Sequence, residues 1–153
     1  MWLYKKNVID SIEKMPKETY GFIYQVTHLS TGRKYIGKKV LYFERNVRLG
    51  KKELQALKEE RKAKGIGGRA PLKKKVIKES DWKTYYGSQA EIKDLVKNGK
   101  ESDFKREILK FVDNKKHLTY FECKYLFICE VLENNKEFIN DNILAKFYSK
   151  DFQ

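Results

Sequence analysis

The chain has 153 residues, the size of one domain built on one core and too short for two generous ones. Its 34 lysines and arginines against 21 aspartates and glutamates leave a formal charge of +13, which points to a polyanionic partner, nucleic acid first and an anionic membrane surface second. No apolar run is long enough to span a bilayer and the N-terminal stretch lacks the pattern of a secretory signal, so a soluble, cytoplasmic chain is expected.

In chain order, residues 1–17 mix Trp2, Leu3, Tyr4, Val8, Ile9 and Ile12 with charges before Pro16 interrupts them, and a short helix and a strand both fit. From Tyr20 to Lys39 the pattern is clearer. Phe22, Tyr24 and Val26 alternate with Ile23, Gln25 and Thr27, the period of two of a strand. Lys34 to Lys38 has the same character, and Ser30-Thr31-Gly32 between them is a turn signal, because Gly32 can take positive φ at no steric cost. Closing the hairpin with Val26 opposite Tyr35 sets Tyr24 opposite Gly37 and puts both tyrosines on one face, whereas a slip of one residue would separate them. Two phenols beside Gly37, followed by Lys38 and Lys39, make a plausible anion site, although these are also ordinary strand residues.

Val40 to Leu49, with Leu41, Phe43 and Val47 among Glu44, Arg45 and Arg48, fits a helix after the hairpin. Residues 51–78 then hold eleven lysines and arginines against three glutamates, +8 of the total +13. Lys51 to Lys64 favours helix, with Leu54 and Leu57 on one stripe and Glu60 four residues before Lys64. Gly65-Ile66-Gly67-Gly68 breaks it, and Arg69 to Lys78 is an exposed basic arm or hairpin.

Next, Trp82, Tyr85 and Tyr86 can stack on bases, though aromatics entering a small core are commoner. Ser88 to Asn98 reads as a helix with Ser88 as N-cap and Gly99 as its stop. Phe104 to Val112 is the third strand expected, with helix competing because the alternation is imperfect. Leu118 to Asn134 is the strongest helix, apolar over most of its circumference and so expected to be largely buried. Glu122 stands out there: it sits three residues after Thr119, the spacing of a capping box, and a carboxylate in such surroundings otherwise needs a partner or a metal. Cys123 and Cys129 diverge on that helix and suit neither a zinc site nor a disulfide, so buried thiols in a reducing compartment are expected. His28 and His117 form no metal-ligand pair by spacing.

Phe22-Ile23-Tyr24 and Tyr35-Ile36-Gly37, ten residues apart, resemble the paired signature of the GIY-YIG endonuclease family, with Phe22 in place of the signature's first glycine and Gly21 just before it. Asp81 to Ser88 is similar to a segment of small phage-encoded, homing-type members. The resemblance implies an α+β fold, a small three-stranded antiparallel sheet flanked by helices, as a single domain over 1–153 interrupted by a basic helical or loop insertion at 51–78. It implies a metal-dependent phosphodiesterase acting on DNA in the cytoplasm, that of the host cell if phage-encoded.

Carried over residue by residue, the resemblance makes Glu122 the ligand of Mg²⁺ (or Mn²⁺) and Arg45, eight residues after Gly37, the charge-stabilising arginine. Tyr24 and Tyr35 position or deprotonate the attacking water, with Lys38 lowering the phenol's pKa. Asn140 fits the late asparagine best, with Asn142 the alternative. With a nuclease signature nearby, Lys39, Arg48, Lys51, Lys52, Arg69, Lys73, Lys74 and Lys75 are expected on DNA phosphates.

Overall fold

A computed structural model describes residues 1–152 as a mixed α+β chain. It opens with β1 (Trp2–Tyr4) and β2 (Asn7–Ile9), an antiparallel pair turned by Lys5 and Lys6 at positive φ, so the N-terminal stretch is strand, followed by one helical turn at Ile12–Lys14. The hairpin of β3 (Gly21–His28) and β4 (Lys34–Val40) has the register that alternation requires, Val26 opposite Tyr35 and Tyr24 opposite Gly37, with Gly32 at φ 71° in the turn.

The next element corrects the helix expected at 40–49. Residues Tyr42–Arg48 form β5, which pairs along its whole length with the antiparallel β6 (Lys73–Glu79), Arg45 opposite Val76. Its apolar residues satisfy a two-residue period as well as a helical one, and a partner strand far along the chain decides between them. Between the two strands stands α1 (Lys51–Ala63), where the charge pattern placed a helix; Glu53 bonds back to the Gly50 N–H at 3.0 Å and supplies negative charge to the first turn. Tyr42–Ser80 is a compact unit of its own, and Met1–Leu41 with the chain from Asp81 onward is the other.

In that larger unit, α2 (Ala90–Lys97) is capped by the Gln89 side chain, not by Ser88. The third expected strand, β7 (Phe104–Val112), carries an irregularity opposite Ile23 and Tyr24, which pair with Lys110 and Ile108 and skip Leu109. This bulge is why its alternation looked imperfect: Phe104, Arg106 and Ile108 share the face that Phe111 rejoins one residue out of step.

The glutamate-bearing helix, α3 (Lys115–Ile128), begins earlier than expected, because the Asn114 side chain accepts the His117 N–H at 2.8 Å. Thr119 and Glu122 therefore lie inside the helix, and the capping-box alternative for Glu122 falls away. Nor is the helix buried over most of its circumference. Leu118 and Leu126 are its buried residues, whereas Tyr120, Phe127 and Ile128 are exposed, and Cys123 and Cys129 are free and half-buried rather than buried. A short pair, β8 (Asn142–Ile143) and β9 (Phe147–Tyr148), follows.

The main sheet has the order β2-β1-β7-β3-β4, five strands where three were expected, with β1 joining parallel to β7 and extending the predicted antiparallel core. On one face Trp2, Phe22, Tyr24, Val26, Trp82 and Ile92 pack together. On the other Ile23 and Ile36 meet Leu118 and Leu126 of α3, with Val131, Leu132 and Ile143. Each such large apolar side chain contributes about 1.5–3 kcal/mol on burial. Trp82 is wholly enclosed and its carbonyl accepts the Trp2 Nε1–H at 2.6 Å, which removes it as a base-stacking surface. The outer edge of β4 is covered by residues 137–139, where Lys34 donates to the Glu137 carbonyl and Ile139 to that of Lys34, both at 2.7 Å. No helix among the described residues is long and apolar enough to cross a membrane.

Candidate active site

Tyr35 and Ile36 of the second signature triplet open at the outer edge of β4 onto a cleft of about 420 Å³, lined also by Lys38, Ser88, Glu122, Asn140 and Asp141 among others. Alternation along β4 sends Tyr35 and Gly37 to the face of the aromatic core and Ile36 and Lys38 to the face that α3 covers. Because β4 is an edge strand, side chains from both faces reach the same opening.

On the α3 side, the Lys38 Nζ lies 2.8 Å from Glu122 Oε2 and 3.3 Å from Thr119 Oγ1. The Glu122 carboxylate is thus neither a cap nor a solvated surface charge; it is mostly enclosed, its side chain 18% exposed, and ion-paired within the cleft. Asp141 supplies a second carboxylate to the same lining. Among the described residues no three His, Cys, Asp or Glu side chains gather as a complete protein cage for a metal. One or two carboxylates beside a substrate phosphate are nevertheless the donor set that suits Mg²⁺, which keeps several of its waters, so Glu122 with Asp141 fits such an ion.

On the aromatic side, Tyr35 Oη is 2.8 Å from Ser88 Oγ. Burial pushes the Tyr35 phenol above its ordinary value; the Ser88 bond partly opposes this, while Tyr85, Glu122 and Asp141 add to it. Tyr24 is 1% exposed, and burial, reinforced by Tyr35 and a hydrogen bond with Tyr85, holds its phenol well above the ordinary value. Both tyrosines are therefore neutral near pH 7. This corrects the expectation that Lys38 lowers a phenol's pKa: its ammonium is engaged by Glu122, on the other side of the strand. Gly37 has a steric reason to be glycine, since a Cβ there would stand 2.5 Å from the Tyr24 hydroxyl and 2.7 Å from Cζ.

Asn140 is buried and closes the cleft as a piece of imitation backbone: Oδ1 accepts the Ile36 N–H at 3.0 Å and Nδ2 donates to the Ile36 carbonyl at 2.8 Å. It grips β4 between Tyr35 and Gly37. The alternative, Asn142, also lines the cleft, with its Nδ2 on Asp141 and its Oδ1 accepting the Ala145 N–H.

Two further expected members belong to other parts of the chain's structure: one to the smaller unit, one to the closed face of β4. Arg45 is on β5 in the smaller unit, and among the described residues Lys38 is the cation in the cleft lining. Lys39 is 7% exposed, with Nζ 2.5 Å from Asp81 and 3.7 Å from the centre of the Tyr85 ring, so it clamps the 81–85 segment instead of presenting charge to a phosphate. The other expected DNA contacts, Arg48, Lys51, Lys52, Arg69, Lys73, Lys74 and Lys75, are exposed on the smaller unit, and Arg69 shares a hollow of about 370 Å³ with Lys58, Arg61 and Lys62.

Three contributors escaped the sequence reading. Ser88 and Asp141 have short polar side chains in loops and carry no periodic signal. Arg106 is 4% exposed and donates to the carbonyls of Lys83, at 3.0 Å, and Tyr85, at 2.8 Å, while stacking between Trp2 and Tyr86, so it fastens the loop leading to Ser88. Its place in the 104–106–108 alternation, on the face of Phe104 and Ile108, was the available sign.

Neither a curated protein nor a solved structure matches the chain. A family model described as "Putative endonuclease segE, GIY-YIG domain" matches residues 2–143, which takes in the signature hairpin, Glu122 and Asn140; the chain belongs to the GIY-YIG endonuclease family.

Proposed function

We propose that this chain is a divalent-metal-dependent DNA endonuclease that hydrolyses phosphodiester bonds by direct attack of water. The observation that supports it most is the position of Glu122: a carboxylate inside the cleft that the signature's Tyr35 lines, on a helix whose N-terminus Asn114 already caps, and held by Lys38. Such a mostly enclosed, ion-paired charge is not stabilising for its own sake and has no role in starting the helix. Glu122, with Asp141, would hold Mg²⁺ or Mn²⁺, which when bound polarises the phosphoryl oxygen and steadies the leaving oxygen.

The chain's own residues supply the rest. Lys38 brings a cation to the charge that builds on phosphorus. Tyr35, a neutral phenol shared with Ser88, orients water or a phosphate oxygen as a donor. Tyr24 buttresses the strand from beneath, and Asn140 holds it from outside. The new bond runs from the water oxygen to phosphorus as that water gives up a proton to solvent, and the bond to the 3′ oxygen breaks as that oxygen takes up a proton from solvent, leaving a 5′ phosphate and a 3′ hydroxyl. Arg45, eight residues after Gly37, is the second cation for that charge.

Cleavage of plasmid with and without Mg²⁺, by wild type and Glu122→Ala, tests the reading. Glu122→Ala is expected to abolish cleavage and leave DNA binding nearly intact. Undiminished cleavage by that variant would remove Glu122 from the site, and DNA binding by wild type without cleavage in any divalent metal would leave a binding module on a nuclease fold.

A further inference from the structure

The smaller unit, Tyr42–Ser80, carries thirteen lysines and arginines against five glutamates, and its strands form a two-stranded ribbon. Register divides the ribbon into two unlike faces. Phe43, Arg45 and Val47 stand opposite Lys78, Val76 and Lys74 on one face, where Val47 and Val76 are half-buried and Lys74 is ion-paired to Glu53 of α1. On the other face Glu44, Asn46 and Arg48 stand opposite Ile77, Lys75 and Lys73, and all six are exposed.

That second face combines an acid, an amide and three cations with one exposed apolar side chain. Along β5 it presents Glu44, Asn46 and Arg48 at every second residue, about 7 Å apart. These three side chains have the hydrogen-bonding patterns that match cytosine, adenine and guanine edges, as acceptor, bidentate donor and acceptor, and bidentate donor. Along β6 it presents Lys73 and Lys75, suited to phosphates, and Ile77, 59% exposed, an apolar group of the kind that meets a thymine methyl. Lys75 also pairs with Glu44 at 2.6 Å across the ribbon, which steadies the carboxylate on a face otherwise positive. A two-stranded ribbon, about 24 Å long for seven residues a strand, fits the major groove of B-form DNA, about 12 Å wide.

We infer that the β5–β6 ribbon enters the major groove of duplex DNA with its Glu44, Asn46 and Arg48 face, and that Asn46 and Arg48 read base edges and give the enzyme a sequence preference. The inference rests on the proposed DNA substrate but not on the chemistry at Glu122. Recognition by shape and phosphate alone would call for cations on this face, not an alternating acid, amide and guanidinium.

The test selects randomised DNA duplexes for binding to the full chain in the Glu122→Ala background, so that base preference is read without cleavage, while wild-type nicking is scored separately. The chain should enrich a short motif. Asn46→Ala and Arg48→Ala should each flatten the preference at a different position, by roughly five- to a hundredfold in relative affinity. Arg48→Lys keeps the charge but loses the fork, so it should keep overall affinity and lose its position of the motif. A double-stranded RNA competitor should compete poorly, because its deep, narrow major groove does not admit the ribbon. No enriched motif, an unchanged motif in the variants, equal competition by RNA, or no duplex binding at all would overturn the inference. A motif obtained from a chain that never nicks would sink the enzyme reading and leave this one standing.

Discussion

Lys38 and Glu122 join the edge strand β4 to α3 through a 2.8 Å ion pair inside the cleft. Any cation that Glu122 takes up must displace the ammonium or share the carboxylate with it. Lys38→Met should therefore lower the Mg²⁺ concentration needed for half-maximal cleavage, while the rate at saturating metal falls on the order of a hundredfold through loss of the cation near phosphorus. A metal titration of cleavage rate checks both. An unchanged metal requirement would mean that the pair does not hold Glu122 against the ion.

Gly37→Ala places a methyl where the Tyr24 phenol lies, within 2.5 Å of its hydroxyl, in a core too full to yield. The expected cost is about 1–3 kcal/mol by overpacking, read as a lower midpoint in denaturant unfolding. Combining it with Tyr24→Phe should restore only part of the loss, because the ring carbon Cζ, 2.7 Å from the new methyl, stays in place.

The phenols set an alkaline limit. Tyr24 and Tyr35 both have folded values raised above the ordinary value of about 10, so as pH climbs the unfolded chain loses these protons first and binds fewer than the native state. Stability is complete below the ordinary value and declines as pH rises toward the raised ones. Unfolding followed across alkaline pH should show that decline, and Tyr24→Phe should soften it. In catalysis, Tyr35→Phe should slow cleavage without changing the shape of the rate profile between about pH 6 and 9, since a neutral phenol is not the group titrating there. An alkaline limb lost in that variant would make the phenolate the base.

On the ribbon, Lys73 and Lys75 share a face and Lys74 points to the other, tied to Glu53. Replacing Lys73 and Lys75 together by alanine should make the dependence of log affinity on log salt shallower by up to about two units, at about 0.9 per phosphate contact. Lys74→Ala should leave the slope nearly unchanged. Affinities across a salt series decide it, and equal slopes for all three proteins would put the DNA track elsewhere.

Lys39 offers the contrasting case of a cation that serves the fold. With its ammonium between Asp81 and the Tyr85 ring, Lys39→Ala should cost stability on the order of 1–3 kcal/mol in denaturant unfolding. The salt slope of DNA binding should not move, and a shallower slope at unchanged stability would return Lys39 to the phosphates.

What the chain determined by itself was local. Alternation around Ser30-Thr31-Gly32 set the register that brings Tyr24 to Gly37, because a one-residue slip would turn Phe22, Tyr24 and Val26 out of the core. The charge and leucine pattern marked α1, the apolar run 104–112 marked β7, and the signature spacing pointed to the family. Tertiary structure decided everything that needed a distant partner. Tyr42–Arg48 is a strand only because Lys73–Glu79 lies beside it; Glu122 is an ion-paired carboxylate only because α3 packs over Lys38. Asn140 reaches Ile36 across 104 residues and Tyr35 reaches Ser88 across 53. Even Lys39 and Lys38, adjacent in sequence, were divided between fold and cleft by the pleat of β4, which sends one to a closed face and the other to an open edge. Periodicity reports which side of an element is apolar, whereas the chemistry of a polar side chain depends on what the folded chain sets against it.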